Sequence, residues 1–186
     1  MLFVKDISLV QFKKHLSANF SFKQQVVGIC GKNGSGKTNL LDAIYCLCFT
    51  KSYFNKQDAQ HTTHGYQGWR LAANVQHHEQ SNNLLCIFRE NGKKEFLKNG
   101  VAYKKFAEHI GLFPAVMIAP DDIAIINEGS EERRRMMDTI LSQTNNTYLQ
   151  QLIQYNKLLL QRNALLKAMN EQQKMADDLL NIYDEQ

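Results

Sequence analysis

The chain has 186 residues, 44% of them apolar and 22% charged, proportions of a chain that folds rather than one that stays disordered. That length suits one domain, or one domain with a helical appendage. Its 22 basic and 18 acidic residues leave a net charge of +4, which permits an anionic partner without demanding one, because nucleic-acid binding depends on a local patch. No apolar run reaches the roughly 18 residues of a membrane span, and Met1-Leu2-Phe3-Val4-Lys5-Asp6 does not read as a secretory signal.

Residues 2–12 alternate loosely and predict a strand, and Leu16 to Lys23, with Phe20 and Phe22 at period two, predicts a second strand paired with it. Gln25 to Cys30 carries Val26, Val27 and Ile29 and reads as a short strand buried on both faces. A glycine-rich loop follows, and Leu40, Leu41, Ile44, Tyr45 and Leu47 then recur at helical spacing up to Phe49. The polar stretch 51–68 reads as an irregular connection. Trp69 to Gln76, Asn83 to Glu90 and Lys94 to Lys98 read as strands, with tight-turn chemistry at Asn91-Gly92 and again at Asn99-Gly100. Tyr103 to Ile110 predicts a short helix ended by Gly111, and Ala115 to Ala119 a buried strand stopped by Pro120.

From Ser130 the pattern is helical, with Ser130 as the expected cap and Glu131 and Glu132 favoured at the positive end of the dipole. After a polar break at 143–147, a long helix is expected to about Tyr183. Its seam runs Tyr148, Leu152, Tyr155, Leu159, Arg162, Leu166, Met169, Gln173, Ala176, Leu180 and Tyr183, spacings that call for a partner helix. Cys30, Cys46, Cys48 and Cys86 sit in apolar or strand-like runs and read as buried small hydrophobes of a reducing cytosol. These elements make an α/β fold: a mixed sheet around the loop and its helix over 1–119, and a mostly helical lobe over 120–186.

The loop Gly31-Lys32-Asn33-Gly34-Ser35-Gly36-Lys37-Thr38 meets the phosphate-loop pattern G-x-x-x-x-G-K-[ST] at every fixed position, between an apolar run and a helix. Glycines let the backbone turn successive N–H groups toward phosphate oxygens, and the helix adds its own free N–H groups and the positive end of its dipole. Lys37 reaches the β- and γ-phosphates, and the Thr38 hydroxyl is a magnesium ligand. The chemistry implied is ATP binding with Mg2+, with Asn39 completing the contact set.

Asn33 to Ile44 resembles the loop of ABC-type ATPases that manage chromosomes, and more narrowly is similar to the RecF family of bacterial recombination and repair proteins. Other stretches carry the same resemblance, in order: Leu9 to His15 with Phe12-Lys13; Lys51-Ser52-Tyr53-Phe54; Pro120-Asp121-Asp122 with Gly129-Ser130, Glu132-Arg133-Arg134 and Asp138; and Tyr148-Leu149, Tyr155-Asn156 and Leu160 to Lys167. The loop alone is generic; the combination is specific. Two departures stand out. Lys13 lies where that family usually has arginine, keeping the charge but not the planar fork. Lys32 replaces the more usual proline or acidic residue.

The resemblance implies a P-loop ABC-type ATPase lobe in which ATP–Mg2+ is sandwiched by a homodimer, and closure is coupled to DNA at gaps or junctions between single- and double-stranded regions. It also implies cooperation with other recombination mediator proteins in loading recombinase, in replication-fork maintenance and the SOS response, within the cytoplasm. In the family pattern the signature loop and the acidic magnesium and water-activating pair lie beyond Gln186. No catalytic residue is therefore assigned here, and the chain is expected to bind nucleotide better than it hydrolyses it. The rival readings are the nucleotide-binding subunit of a membrane transporter, disfavoured by Lys51 to Phe54 and the long seam, and a nucleotide-gated scaffold without useful hydrolysis.

Single residues admit plainer roles. Lys13, with Lys14 and His15, stands either near the phosphates or in a solvated turn. Arg133-Arg134-Arg135 fits ion pairs on its own helix better than DNA contact, and Arg162, beside Gln161 and Asn163, fits a register role better than chemistry. His61, His64, His77 and His78 match no metal spacing and read as surface histidines. Asp121 reads as a helix cap after Pro120 rather than a magnesium ligand.

Overall fold

The computed structural model describes residues 2–55, 57–127 and 129–172, and the chain divides into two units, Met1–Asp122 and Ile123–Gln186. In the first, β1 (Leu2–Phe12), β2 (His15–Ser21), β3 (Trp69–His77), β4 (Gln80–Phe88), β5 (Lys94–Lys98) and β6 (Val101–Ala102) form one sheet in the order β2-β1-β3-β4-β5-β6. Every ladder among the described residues is antiparallel. Helix α1 (Lys37–Phe49) follows the loop and packs on β1, β3 and β4. This is an α/β lobe of the P-loop ATPase class joined to a mostly helical second unit.

The core lies between α1 and one face of the sheet. Leu40, Ala43, Cys46, Leu47 and Phe49 meet Ile7, Leu9, Leu71, Ala73, Val75, Leu84, Cys86 and Phe96, all buried. Each large side chain removed from water contributes about 1.5–3 kcal/mol, and this fixes α1 and the loop before it. In β1 the register against β3 slips between Val4 and Asp6. Lys5 is the extra residue of a bulge, so Leu2 and Val4 before it and Ile7 and Leu9 after it all face the core. At the other end Gln11 has φ 53°, a second interruption that turns Phe12 inward, fully buried.

Both predicted hairpins form. Arg89 N–H donates to the Lys93 carbonyl at 2.9 Å across Asn91-Gly92. Asn99 and Gly100 have φ 51° and 81° between the paired residues Lys98 and Val101, the primed turn that matches strand twist.

Several expectations are corrected. Gln25 to Cys30 is irregular, bent at Gln25 and Val26, and joins no ladder, and Val26 is 90% exposed rather than buried. Ala115 to Ala119 likewise forms no strand: Ala115 and Met117 pack on the core, while Val116 and Ile118 are 83% and 84% exposed. In both runs the apolar content is that of a buried strand, but no described strand pairs with them. Cys30 shares this exposure, unlike the other three cysteines. Over 103–110 only a turn of 3-10 helix, Phe106–Glu108, forms.

The second unit contains α2 (Ala124–Asn127), α3 (Ser130–Thr144) and α4 (Asn146–Gln172). Ser130 is not the cap: Gly129 precedes the helix in extended conformation and no side chain caps it, leaving Glu131 and Glu132 to complement the dipole. Asn145 separates α3 from α4. Its N–H donates to the Leu141 carbonyl at 2.8 Å, and its Oδ1 accepts the Tyr148 N–H at 3.1 Å, while the Tyr148 hydroxyl donates to the Asp138 carboxylate. Leu149 is buried, but along the expected seam Tyr155, Leu159 and Leu166 are exposed. Arg162 is half-buried. Gln173, Ala176, Leu180 and Tyr183 lie outside the described residues.

Candidate functional site

The loop stands at the head of α1. Gly31, Lys32, Asn33, Gly34 and Ser35 are exposed, Gly36 and Lys37 half-buried, Thr38 exposed and Asn39 half-buried. No acidic residue occupies the first turn of α1, and no side chain caps it. The N–H groups that open this helix therefore keep their positive potential for an external anion. The Lys37 ammonium lies back along the loop, donating to the carbonyls of Gly31 at 2.8 Å and Lys32 at 2.9 Å. Thr38, second residue of the helix, is exposed.

The turn between β1 and β2, with the first residue of β2, supplies three side chains that reach this region. Lys13, at φ 51°, pairs its ammonium with the Asp42 carboxylate at 2.5 Å. Lys14 donates to the Gly34 carbonyl. His15 Nε2 lies 3.0 Å from the Gly36 carbonyl oxygen; a carbonyl only accepts, so this nitrogen carries the proton. The sequence left Lys13 between phosphate contact and a solvated turn; its ammonium is directed at α1. His15 stacks edge-on against Phe20, and a Cβ at Gly36 would stand 2.6 Å from its Nε2. Gly36 also has φ 95°, so glycine is required there twice over.

Asp42 is the residue that sequence reasoning missed. It is fully buried, and a buried carboxylate must be paired and hydrogen-bonded. Besides Lys13 it accepts the Ser52 hydroxyl at 2.7 Å and the Tyr53 N–H at 2.8 Å. The Ser52 oxygen in turn accepts the N–H groups of Phe54 and Asn55, each at 3.2 Å. The Tyr53 hydroxyl donates to Asp122, whose other oxygen accepts the Ala119 N–H at 2.6 Å. Asp122, not Asp121, therefore closes the turn after Pro120. The one signal in the sequence was an acid inside an otherwise apolar helical run.

One histidine expected at the surface, His61, is buried, and so is His109. His61 is sealed between Phe12 and Trp69, and among the described residues neither ring nitrogen has a hydrogen-bond partner. Burial, reinforced by the Lys13 charge, holds its pKa below the ordinary value. Its backbone carbonyl accepts the Lys13 N–H at 2.6 Å, bracing the β1–β2 turn. His109 donates from Nε2 to the Leu47 carbonyl in α1 at 2.8 Å, and its Nδ1 accepts the Tyr103 hydroxyl at 3.0 Å. Burial pushes its pKa down to about 4, assisted by the Lys98 charge and opposed by the Leu47 bond. No cluster of three metal-ligating side chains occurs among the described residues. Arg133 donates to the Ile125 carbonyl at 3.2 Å, and Arg135 lies 3.7 Å from Glu132 on its own helix.

A family model described as AAA domain matches residues 6–186. The DNA replication and repair protein RecF of Flavobacterium johnsoniae is 43% identical over 183 residues, 98% of this chain and 51% of its own length. That of Cytophaga hutchinsonii is 41% identical over 184 residues, 98% and 48%. The chain thus spans about half the length of the curated relatives it matches. A solved structure of the recombination mediator protein RecF with ATP in the RecFOR pathway superposes with a TM-score of 0.89 at 31% identity, over 99% of this chain and 49% of the other. A Pyrococcus yayanosii Smc head domain, 21% identical with a TM-score of 0.57 over 92% of this chain and 39% of the other, shares the fold.

Proposed function

The chain belongs to the AAA domain family and is homologous to the N-terminal region of RecF DNA replication and repair proteins, and from that premise we propose that it binds ATP with magnesium at Gly31–Thr38. The observation that carries this is the uncapped, acid-free start of α1 directly behind a loop of exposed backbone. The fit is chemical as well as geometric. The loop has no carboxylate of its own to compete with phosphate, and Lys37 has an ammonium already confined to its rim. Lys32, Asn33, Gly34, Ser35 and Gly36 supply backbone N–H groups, Lys37 its charge, and Asn39 lines the start of the helix. Thr38 holds the magnesium, which when bound neutralises charge on the phosphates. Lys13 acts on the same site through Asp42 and keeps a positive charge beside it.

In the longer protein, ATP binding drives homodimer closure, with the partner subunit completing the site. Closure is coupled to DNA at gaps or single-/double-strand junctions and to recombination mediator proteins in recombinase loading, in the cytoplasm. Positioning and charge neutralisation supply most of the catalysis in phosphoryl transfer, so this chain alone binds ATP and turns it over slowly or not at all. Isothermal titration with and without magnesium, on the chain and on Lys37→Ala, tests the site. Magnesium-dependent binding lost in the variant supports it. Equal binding by both, or a multiple-turnover rate that Lys37→Ala abolishes, contradicts the respective part of the reading.

A further inference from the structure

The phosphate loop is held by two contacts that neither the motif nor the core requires. Lys14 is exposed, so nothing forces its ammonium onto the Gly34 carbonyl. The Gly36 carbonyl already accepts the Leu40 N–H of α1 at 3.0 Å, so His15 at 3.0 Å satisfies no orphan acceptor. What these contacts do is fix peptide planes. In a trans peptide the carbonyl and the following N–H point in opposite directions. Anchoring the Gly34 carbonyl outward turns the Ser35 N–H into the loop, where it reaches the Lys32 carbonyl at 3.2 Å. Anchoring the Gly36 carbonyl turns the Lys37 N–H, first of the helix, away from the β1–β2 turn.

We propose that Lys14 and His15 form a latch that sets the orientation of the loop amides for phosphate, acting as positioning residues for nucleotide binding; the nucleotide part rests on the function proposed above. Lys13 completes the same turn by gripping α1 one and a half helical turns further on, through Asp42. Three consecutive residues at the tip of the β1–β2 hairpin thus hold the crest of the loop, its junction with the helix, and the helix body. The close fit of His15 against Gly36 makes the latch sensitive to any side chain at that position.

The test uses the chain with His15→Phe, which keeps the edge contact to Phe20 but lacks the N–H, and Lys14→Met. His15→Gln and Lys14→Arg serve as restoring variants and Lys105→Met as a remote control. The first readout is amide hydrogen exchange without nucleotide. The latch predicts faster exchange over 31–38 in the two disabling variants, unchanged exchange in the buried half of α1, and recovery with Gln and Arg. The second is magnesium–ATP affinity, expected to fall about three- to tenfold for each lost bond and to be regained by the restoring variants. Exchange in the loop equal to that of the unaltered chain, or raised equally along all of α1, overturns the latch. If the unaltered chain does not bind ATP, the nucleotide site fails while the exchange comparison still decides whether the latch exists.

Discussion

Acid should loosen the α1 packing through one residue, His109. Its ring is fully buried, neutral, and saturated: Nε2 donates to Leu47 and Nδ1 accepts from Tyr103. Protonating Nδ1 would turn that acceptor into a second donor facing a hydroxyl and leave a charge among Phe96, Phe113 and Tyr103, with the Lys98 charge adding repulsion. The folded pKa of about 4 lies below the unfolded value of about 6.5. The native state therefore binds fewer protons between those limits, and stability is full above pH 6.5 and lost as pH falls toward 4. That displacement implies about 3 kcal/mol at the acid limit, and about 2 kcal/mol between pH 7 and pH 5. Urea unfolding at both pH values, for the chain and for His109→Gln, isolates the residue, since glutamine can keep a donor and an acceptor without titrating. The variant should lose about 2 kcal/mol less than the parent over that interval. Equal losses in the two proteins would refute the assignment of a neutral, buried His109.

Other outcomes follow from the same packing. Asp42→Ala should destabilise the first unit by about 3–5 kcal/mol, read as a lowered urea midpoint, because Lys13 is left nearly buried without its carboxylate. A loss below about 1 kcal/mol would mean that Lys13 finds water instead. Thiol labelling of the native chain at pH 8 should add one adduct, on the exposed Cys30. Burial holds the Cys48 thiol up at about 12 and the Cys86 thiol well above its ordinary value, and four adducts should appear only on unfolding; mass spectrometry reads the count. Gly36→Ala should weaken magnesium–ATP binding in titration, since it combines a strained φ, costing about 1–2 kcal/mol, with displacement of His15.

What the sequence made legible was local. The phosphate loop, the helix behind it and both Asn-Gly hairpins follow from residues that have few alternative conformations. Non-local partners were not legible. Gln25 to Cys30 and Ala115 to Ala119 have the apolar content of buried strands, yet apolar content says nothing about which strand would pair with them. Asp42 looked like one polar residue on a helix until the fold brought Lys13, Ser52 and Tyr53 to it from two other segments. His61 reads as a surface residue and His109 gives no signal at all, because a histidine carries no mark of burial in its sequence neighbours; only the aromatic cages around them do.

Strand β1 is read in three phases. Its inward residues are even-numbered before Lys5 and odd-numbered from Ile7 to Leu9; Gln11 restores the even phase at Phe12. A one-residue deletion between the two slips would put every later side chain of the strand in the wrong frame, carrying Lys13, Lys14 and His15 off α1 and the loop. Deleting Lys5 itself would only remove the extra residue of the bulge, leaving Val4 opposite Val75 and Asp6 opposite Asn74 with both flanks in phase. The hairpin tip is thus aimed by counting, and the count that matters runs from Asp6 to Val10.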